Sequence, residues 1–127
     1  MIKINSKEYA YDEQAVINFS EGLIGFPEMR RAALIPLEEF QPFCWLASLD
    51  DEKNRFIVVN PREIYSDFET AENSDLNALA IVKISSDWEK TTVNLRAPIF
   101  FDQETKRASQ VVLSESNYQL AETLPQN

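Results

Sequence analysis

The chain of 127 residues contains no histidine, one cysteine and two glycines. Without histidine there are no Ser-His or Cys-His nucleophile pairs, no imidazole proton shuttles and almost no zinc or iron chemistry. Carboxylate, lysine and tyrosine mechanisms survive that exclusion. No metal motif or glycine-rich loop supports them, so neither an enzyme nor a cofactor is expected. Cys44 has no intrachain partner and lies in the apolar run Phe43-Cys44-Trp45-Leu46, which reads as a buried, inert thiol. No stretch approaches the ~18 apolar residues of a membrane-spanning helix. Met1-Ile2-Lys3-Ile4-Asn5 turns polar too early for a signal peptide, so a cytoplasmic protein without membrane association is expected. Bases are scarce as well: 12 Lys and Arg face 21 Asp and Glu, for a net charge of −9. Nucleic-acid binders usually show the opposite balance, which argues against direct contact with RNA or DNA and for attraction to a basic partner.

Both glycines fall in one heptapeptide, Glu21-Gly22-Leu23-Ile24-Gly25-Phe26-Pro27. This is where the backbone most needs positive φ, and Pro27 fixes the φ that follows. Leu23, Ile24 and Phe26 are apolar, so the segment is either a tight corner packed on the core or a loop that holds these side chains for a partner. Elsewhere, short runs rich in β-branched and aromatic residues recur between turn signals, the pattern of an all-β domain. Strands are predicted at 1–4, 15–19, 33–37, 43–49, 55–60, 80–85, 91–95, 99–101 and 109–113. Helical turns are predicted at 28–32 and 76–79, and Pro98 predicts an edge, bulge or bend. The length suits one domain spanning 1–127, with a polar tail from about 121.

The segment 63–75 carries Glu63, Asp67, Glu69, Glu72 and Asp75 with no base. Such runs are usually solvated faces. The interleaved Tyr65 and Phe68 suit a site for a basic protein instead, with aromatic anchors inside an acidic rim. Asp50-Asp51-Glu52 lacks the glycine and the spaced oxygens of a calcium loop and reads as a polar hairpin tip. Arg30-Arg31 and Lys106-Arg107 are too few for a phosphate-tracking groove.

Five segments, taken in order, resemble the FliW family of flagellar assembly factors. They are Ile17-Asn18-Phe19-Ser20-Glu21-Gly22-Leu23-Ile24-Gly25-Phe26, Pro42-Phe43-Cys44-Trp45-Leu46-Ala47-Ser48-Leu49-Asp50-Asp51, Phe56-Ile57-Val58-Val59-Asn60-Pro61, Val93-Asn94-Leu95-Arg96-Ala97-Pro98-Ile99 and Gln110-Val111-Val112-Leu113. The departures are Ile24 where the family often has Pro, Ala47 where Gln is common, and Ala108-Ser109 where a glycine is often found. The resemblance implies a small antiparallel β-barrel or two-sheet pseudobarrel with short helices, acting as a binding protein. It implies two partners: flagellin, and CsrA, a basic RNA-binding dimer that represses translation of flagellin message. When this protein occupies CsrA, repression of flagellin message is relieved; accumulating flagellin takes the protein and frees CsrA. Tyr65, Asp67, Phe68, Glu69, Glu72 and Asp75 are the residues expected to face CsrA. Leu23, Ile24 and Phe26 are expected to face flagellin, with Phe100 or Phe101 as a second choice. Rival readings are an acidic nucleic-acid mimic that occupies the basic groove directly, and a flagellin chaperone that does not bind CsrA. A monomer is the default expectation.

Overall fold

A computed structural model describes residues 1–66, 68, 75–114 and 116–125. Among these residues are eleven strands and one short α-helix, besides two 3-10 turns: β1 (Ile2–Ile4), β2 (Lys7–Tyr9), β3 (Val16–Phe19), β4 (Arg31–Pro36), β5 (Cys44–Ser48), β6 (Arg55–Val59), α1 (Pro61–Ile64), β7 (Asn77–Lys83), β8 (Thr92–Val93), β9 (Ile99–Phe101), β10 (Arg107–Gln110) and β11 (Glu122–Thr123). The order β7-β6-β5-β4-β3-β10-β9 closes because β9 pairs back onto β7, giving a seven-stranded barrel. All of its pairings are antiparallel except β3 with β10. Strand β7 makes the closure possible. It pairs with β6 through Ala80, Ile81 and Val82 on one edge, and with β9 through Asn77, Ala78 and Leu79 on the other.

Successive strand residues point to opposite faces, and here both faces are covered. One set fills the lumen: Ile17 and Phe19 from β3, Ala32 from β4, Leu46 from β5, Val58 from β6, Leu79 from β7, Ile99 and Phe101 from β9, and Ala108 from β10. The alternate set lies outside and splits in two. Val16, Ala33, Ile35 and Ala47 pack under the β1–β2 hairpin through Ile2 and Ile4. Val59, Ala78, Ala80, Val82 and Phe100 pack under Phe68, Val93 and Leu95, with Tyr118 and Leu124 of the final segment against them. Two-sided burial explains why Leu79-Ala80-Ile81-Val82 and Ile99-Phe100-Phe101 are unbroken apolar runs rather than alternating ones.

Several local expectations are corrected. Residues 77–79 form the start of β7 rather than a helix, with Leu76 in a bend before it, because pairing with β9 and burial on both faces override the local preference. The helical turn predicted at 28–32 is a turn leading into β4. The carboxylate of Asp50 accepts from Arg30 N at 3.1 Å and Arg31 N at 3.0 Å there, holding the strand entry in place of a helix cap. The predicted polar connection 5–14 contains β2, paired to β1 through a two-residue turn at Asn5 and Ser6, with φ of 51° and 67°. The last strong strand lies at Arg107–Gln110 rather than 109–113, and the polar tail contributes β11 against β8. Pro98 follows a bend and precedes β9. The Asp50-Asp51-Glu52 segment is a hairpin tip, in which Ser48 Oγ accepts from Asp50 N and Asp51 N, and Asp51 Oδ1 accepts from Lys53 N.

Candidate functional site

The glycine corner follows β3 and plugs the barrel. Gly22 and Gly25 both take positive φ, 70° and 86°, in the left-handed region where a Cβ is strained. Between them Leu23 and Phe26 form a closed bridge: Phe26 N–H donates to Leu23 O at 2.8 Å and Leu23 N–H to Phe26 O at 3.1 Å. A positive φ at the third residue of such a turn, Gly25, is what a type II geometry requires. The turn sends neighbouring side chains in opposite directions. Leu23 is buried in the lumen cluster with Met29, whereas Ile24 is 60% exposed. Phe26 is 39% exposed and meets Phe56 edge to face, with ring centroids 5.1 Å apart.

Gln110, at the end of β10, fixes the corner to the barrel wall. Its Oε1 accepts from Ile24 N at 2.9 Å, and its Nε2 donates to Ala97 O at 3.0 Å. One side chain therefore ties the plug to the bend before β9. Sequence reasoning missed Gln110 because a glutamine in a polar-ending strand carries no signal; only the closed fold brings it to position 24. The result is an apolar tip, Ile24 with part of Phe26, held rigidly above a packed core.

The described residues cover part of the acidic candidate surface. Asp67, Glu69 and Glu72 lie outside the described residues. Asp75 is exposed. Tyr65 donates its hydroxyl to Thr123 O at 2.8 Å. Burial, then the Glu122 charge, pushes its pKa up to about 12, so it stays a neutral donor. Phe68 is a correction: it is buried at 2% exposure and stacks on Tyr118 at 5.1 Å, so it anchors the C-terminal segment instead of facing a partner. Phe100 and Phe101 are also corrections, since two-sided burial in β9 puts Phe101 in the lumen and Phe100 in the outer cluster. Leu23 likewise points inward, which leaves Ile24 and Phe26 as the accessible members of that set.

Cys44 is half-buried, and its thiol pKa is raised by burial first and by the Glu63 carboxylate second. Among the described residues no group of three or more His, Cys, Asp or Glu is placed to hold a metal ion. No helix among them is long and apolar enough to cross a membrane.

Together these features define a small closed β-barrel whose lumen is filled by side chains and whose end carries a fixed apolar tip. Comparison with known proteins narrows the class. A family model described as FliW protein matches residues 3–124, and the chain belongs to that family. It is 33% identical to the flagellar assembly factor FliW of Clostridium beijerinckii, with 92% of each chain covered. It is 36% identical to that of Geobacter sulfurreducens, over 87% of this chain and 77% of the relative. A crystal structure of the flagellar assembly factor FliW superposes with a TM-score of 0.86 at 23% identity, covering 99% of this chain and 97% of that one. That last likeness is one of fold.

Proposed function

We propose that this chain is a cytoplasmic flagellar assembly factor that binds flagellin through the Ile24–Phe26 tip and binds CsrA through an acidic surface that includes Tyr65 and Asp75. The observation that carries the reading is the exposure of Ile24, with Phe26 partly exposed beside it, on a corner whose Leu23 is buried. Exposed beside Phe26 on one clamped corner, Ile24 is part of a contiguous apolar tip rather than a lone surface residue. It matches the apolar helical faces that flagellin buries only in the filament. A chain of net charge −9 also suits a basic partner such as CsrA. A negative protein docked beside an RNA groove opposes the potential that holds phosphate. A coupling of ~1–3 kcal/mol weakens RNA binding by ~5–150-fold.

Titration calorimetry of the chain into flagellin, and into CsrA with and without flagellin present, tests the reading. Ile24→Asp, which alters an exposed side chain, is expected to weaken flagellin binding by more than ~10-fold while the melting temperature holds. Unchanged binding by a folded Ile24→Asp variant removes the tip from the interface. For CsrA, Asp67→Lys, Glu69→Lys and Glu72→Lys combined are expected to slow association and flatten its salt dependence. Normal binding at both low and high salt places that site elsewhere.

A further inference from the structure

The β1–β2 hairpin covers one outer face of the barrel with Ile2 and Ile4, and β2 has a strand partner on one side only. Its two-residue turn makes Ile4–Lys7 and Ile2–Tyr9 the pairs that exchange backbone hydrogen bonds. The Lys3–Glu8 pair between them therefore turns the N–H and C=O of Glu8 outward. No hydrogen bond to that outward edge is made among the described residues. Beside it lies a groove of about 560 Å³, lined by β2 and by the chain from Ile35 to Phe40 as it leaves β4. Phe40 is 57% exposed in that lining. Three carboxylates, Glu8, Glu38 and Glu39, stand around the groove. The one base there, Lys7, holds its ammonium 5.2 Å from the Tyr9 ring centroid, and none of the three acids is in a salt bridge among the described residues.

We propose that this edge accepts a third strand: an extended segment of a basic protein, pairing its backbone with Glu8, setting Lys or Arg side chains against the carboxylates and resting one apolar side chain on Phe40. Backbone pairing to an open strand supplies affinity, and alternate side chains supply selection. A second copy of this chain is disfavoured as the occupant. Antiparallel self-pairing about Glu8 puts one Glu8 directly opposite the other, and like charges so placed repel. The surface is separate from the Ile24–Phe26 tip and stands whether or not the tip binds flagellin.

The test uses a fluorescent synthetic peptide of alternating Lys and Val, the same peptide with Glu for Lys, and the Lys peptide interrupted by a central Pro. Anisotropy at low salt is expected to show the Lys peptide binding at least ~10-fold tighter than either control, with affinity falling as salt rises. Glu8→Pro removes the outward N–H together with one carboxylate and is tolerated at a strand edge, whereas Glu8→Gln removes the charge alone; Glu8→Pro is expected to weaken binding by a further ~10-fold or more beyond Glu8→Gln. Glu38→Lys with Glu39→Lys is expected to weaken it by a similar factor. If Glu8→Pro fails to fold, amide exchange in the unsubstituted chain decides, since bound peptide must slow exchange at Glu8. Any one of four results overturns the proposal: no binding by the Lys peptide, equal binding of the Pro-interrupted peptide, unprotected Glu8, or a dimer in sedimentation that Glu8→Pro dissolves.

Discussion

Replacing each glycine of the corner by alanine separates backbone strain from steric exclusion. Both positions carry positive φ, so each substitution incurs the left-handed penalty of ~1–2 kcal/mol. A Cβ on Gly25 meets nothing within 4 Å, and its cost stops there. A Cβ on Gly22 falls 2.5 Å from Pro27 O, 2.6 Å from Pro27 C and 2.7 Å from Phe26 O. Those atoms are backbone and are themselves held: Phe26 O accepts from Leu23 N and Met29 N, and Pro27 O accepts from Arg30 Nε. The methyl gains room only if the bridge opens and Leu23 withdraws from the lumen, forfeiting ~2 kcal/mol of apolar burial. The expected cost is thus ~1–2 kcal/mol for Gly25→Ala and ~3–4 kcal/mol for Gly22→Ala. Urea unfolding at fixed m-value reads the difference directly, and in heating it corresponds to a gap of roughly 6–12 °C in Tm. Equal destabilisation by the two variants refutes the plug geometry, because only Gly22 faces a wall.

Gln110→Ala removes both bonds of the clamp, and is expected to raise amide exchange at Ile24 by ~10-fold or more while the lumen residues stay protected. Unchanged exchange at Ile24 means the corner is held without Gln110. Asp102 accepts from Thr105 N at 2.9 Å and Glu104 N at 2.8 Å in the β9–β10 turn, and these backbone bonds, Thr105's the larger, lower its pKa below the ordinary value of 3.8. Because the folded pKa is depressed, its charge stabilises the fold above that ordinary value, and the contribution is lost as pH falls through the folded pKa. Asp102→Asn is therefore expected to melt below the unsubstituted chain at pH 7 and to converge with it in strong acid; a constant gap contradicts the assignment. Cys44, half-buried with a raised pKa, is expected to alkylate at pH 8 more than ~10-fold slower in the folded chain than in urea, and equal rates place the thiol in solvent.

The all-β class and the central hairpin were legible because their signals are local. The runs over β5 and β6, flanking a polar five-residue tip, require no knowledge of the rest of the chain. What stayed illegible depended on closure. Asn77-Ala78-Leu79 reads as a short helix in isolation, since alanine and leucine favour one. It becomes a strand because β9, some twenty residues later, supplies its ladder and the 116–125 segment with Phe68 helps to cover its outer face. Similarly, β2 hid inside a polar stretch because its side chains are mostly exposed and its identity rests on a two-residue turn. The aromatic pair Phe100-Phe101 looked available for a partner only while one face of its strand was assumed open.

The same dependence governs the tip. Leu23, Ile24 and Phe26 are nearly equivalent in hydrophobicity, so no scale can say which of them faces water. Geometry decides it: the side-chain period in an extended bridge is two, and shifting the turn by one residue exchanges inside for outside. The two glycines set that phase, Gly22 by the absence of a Cβ where Pro27 passes and Gly25 by its φ of 86°. A segment that reads as either a packed corner or an exposed loop buries Leu23 and exposes Ile24. Leu23 stabilises the barrel from within, and the bridge it forms with Phe26 is what holds Ile24 outward. Stability and presentation are therefore coupled at this corner: a substitution that loosens Leu23 also disorders Ile24. One that alters only the exposed Ile24 side chain, by contrast, changes what the tip presents and leaves the plug in place.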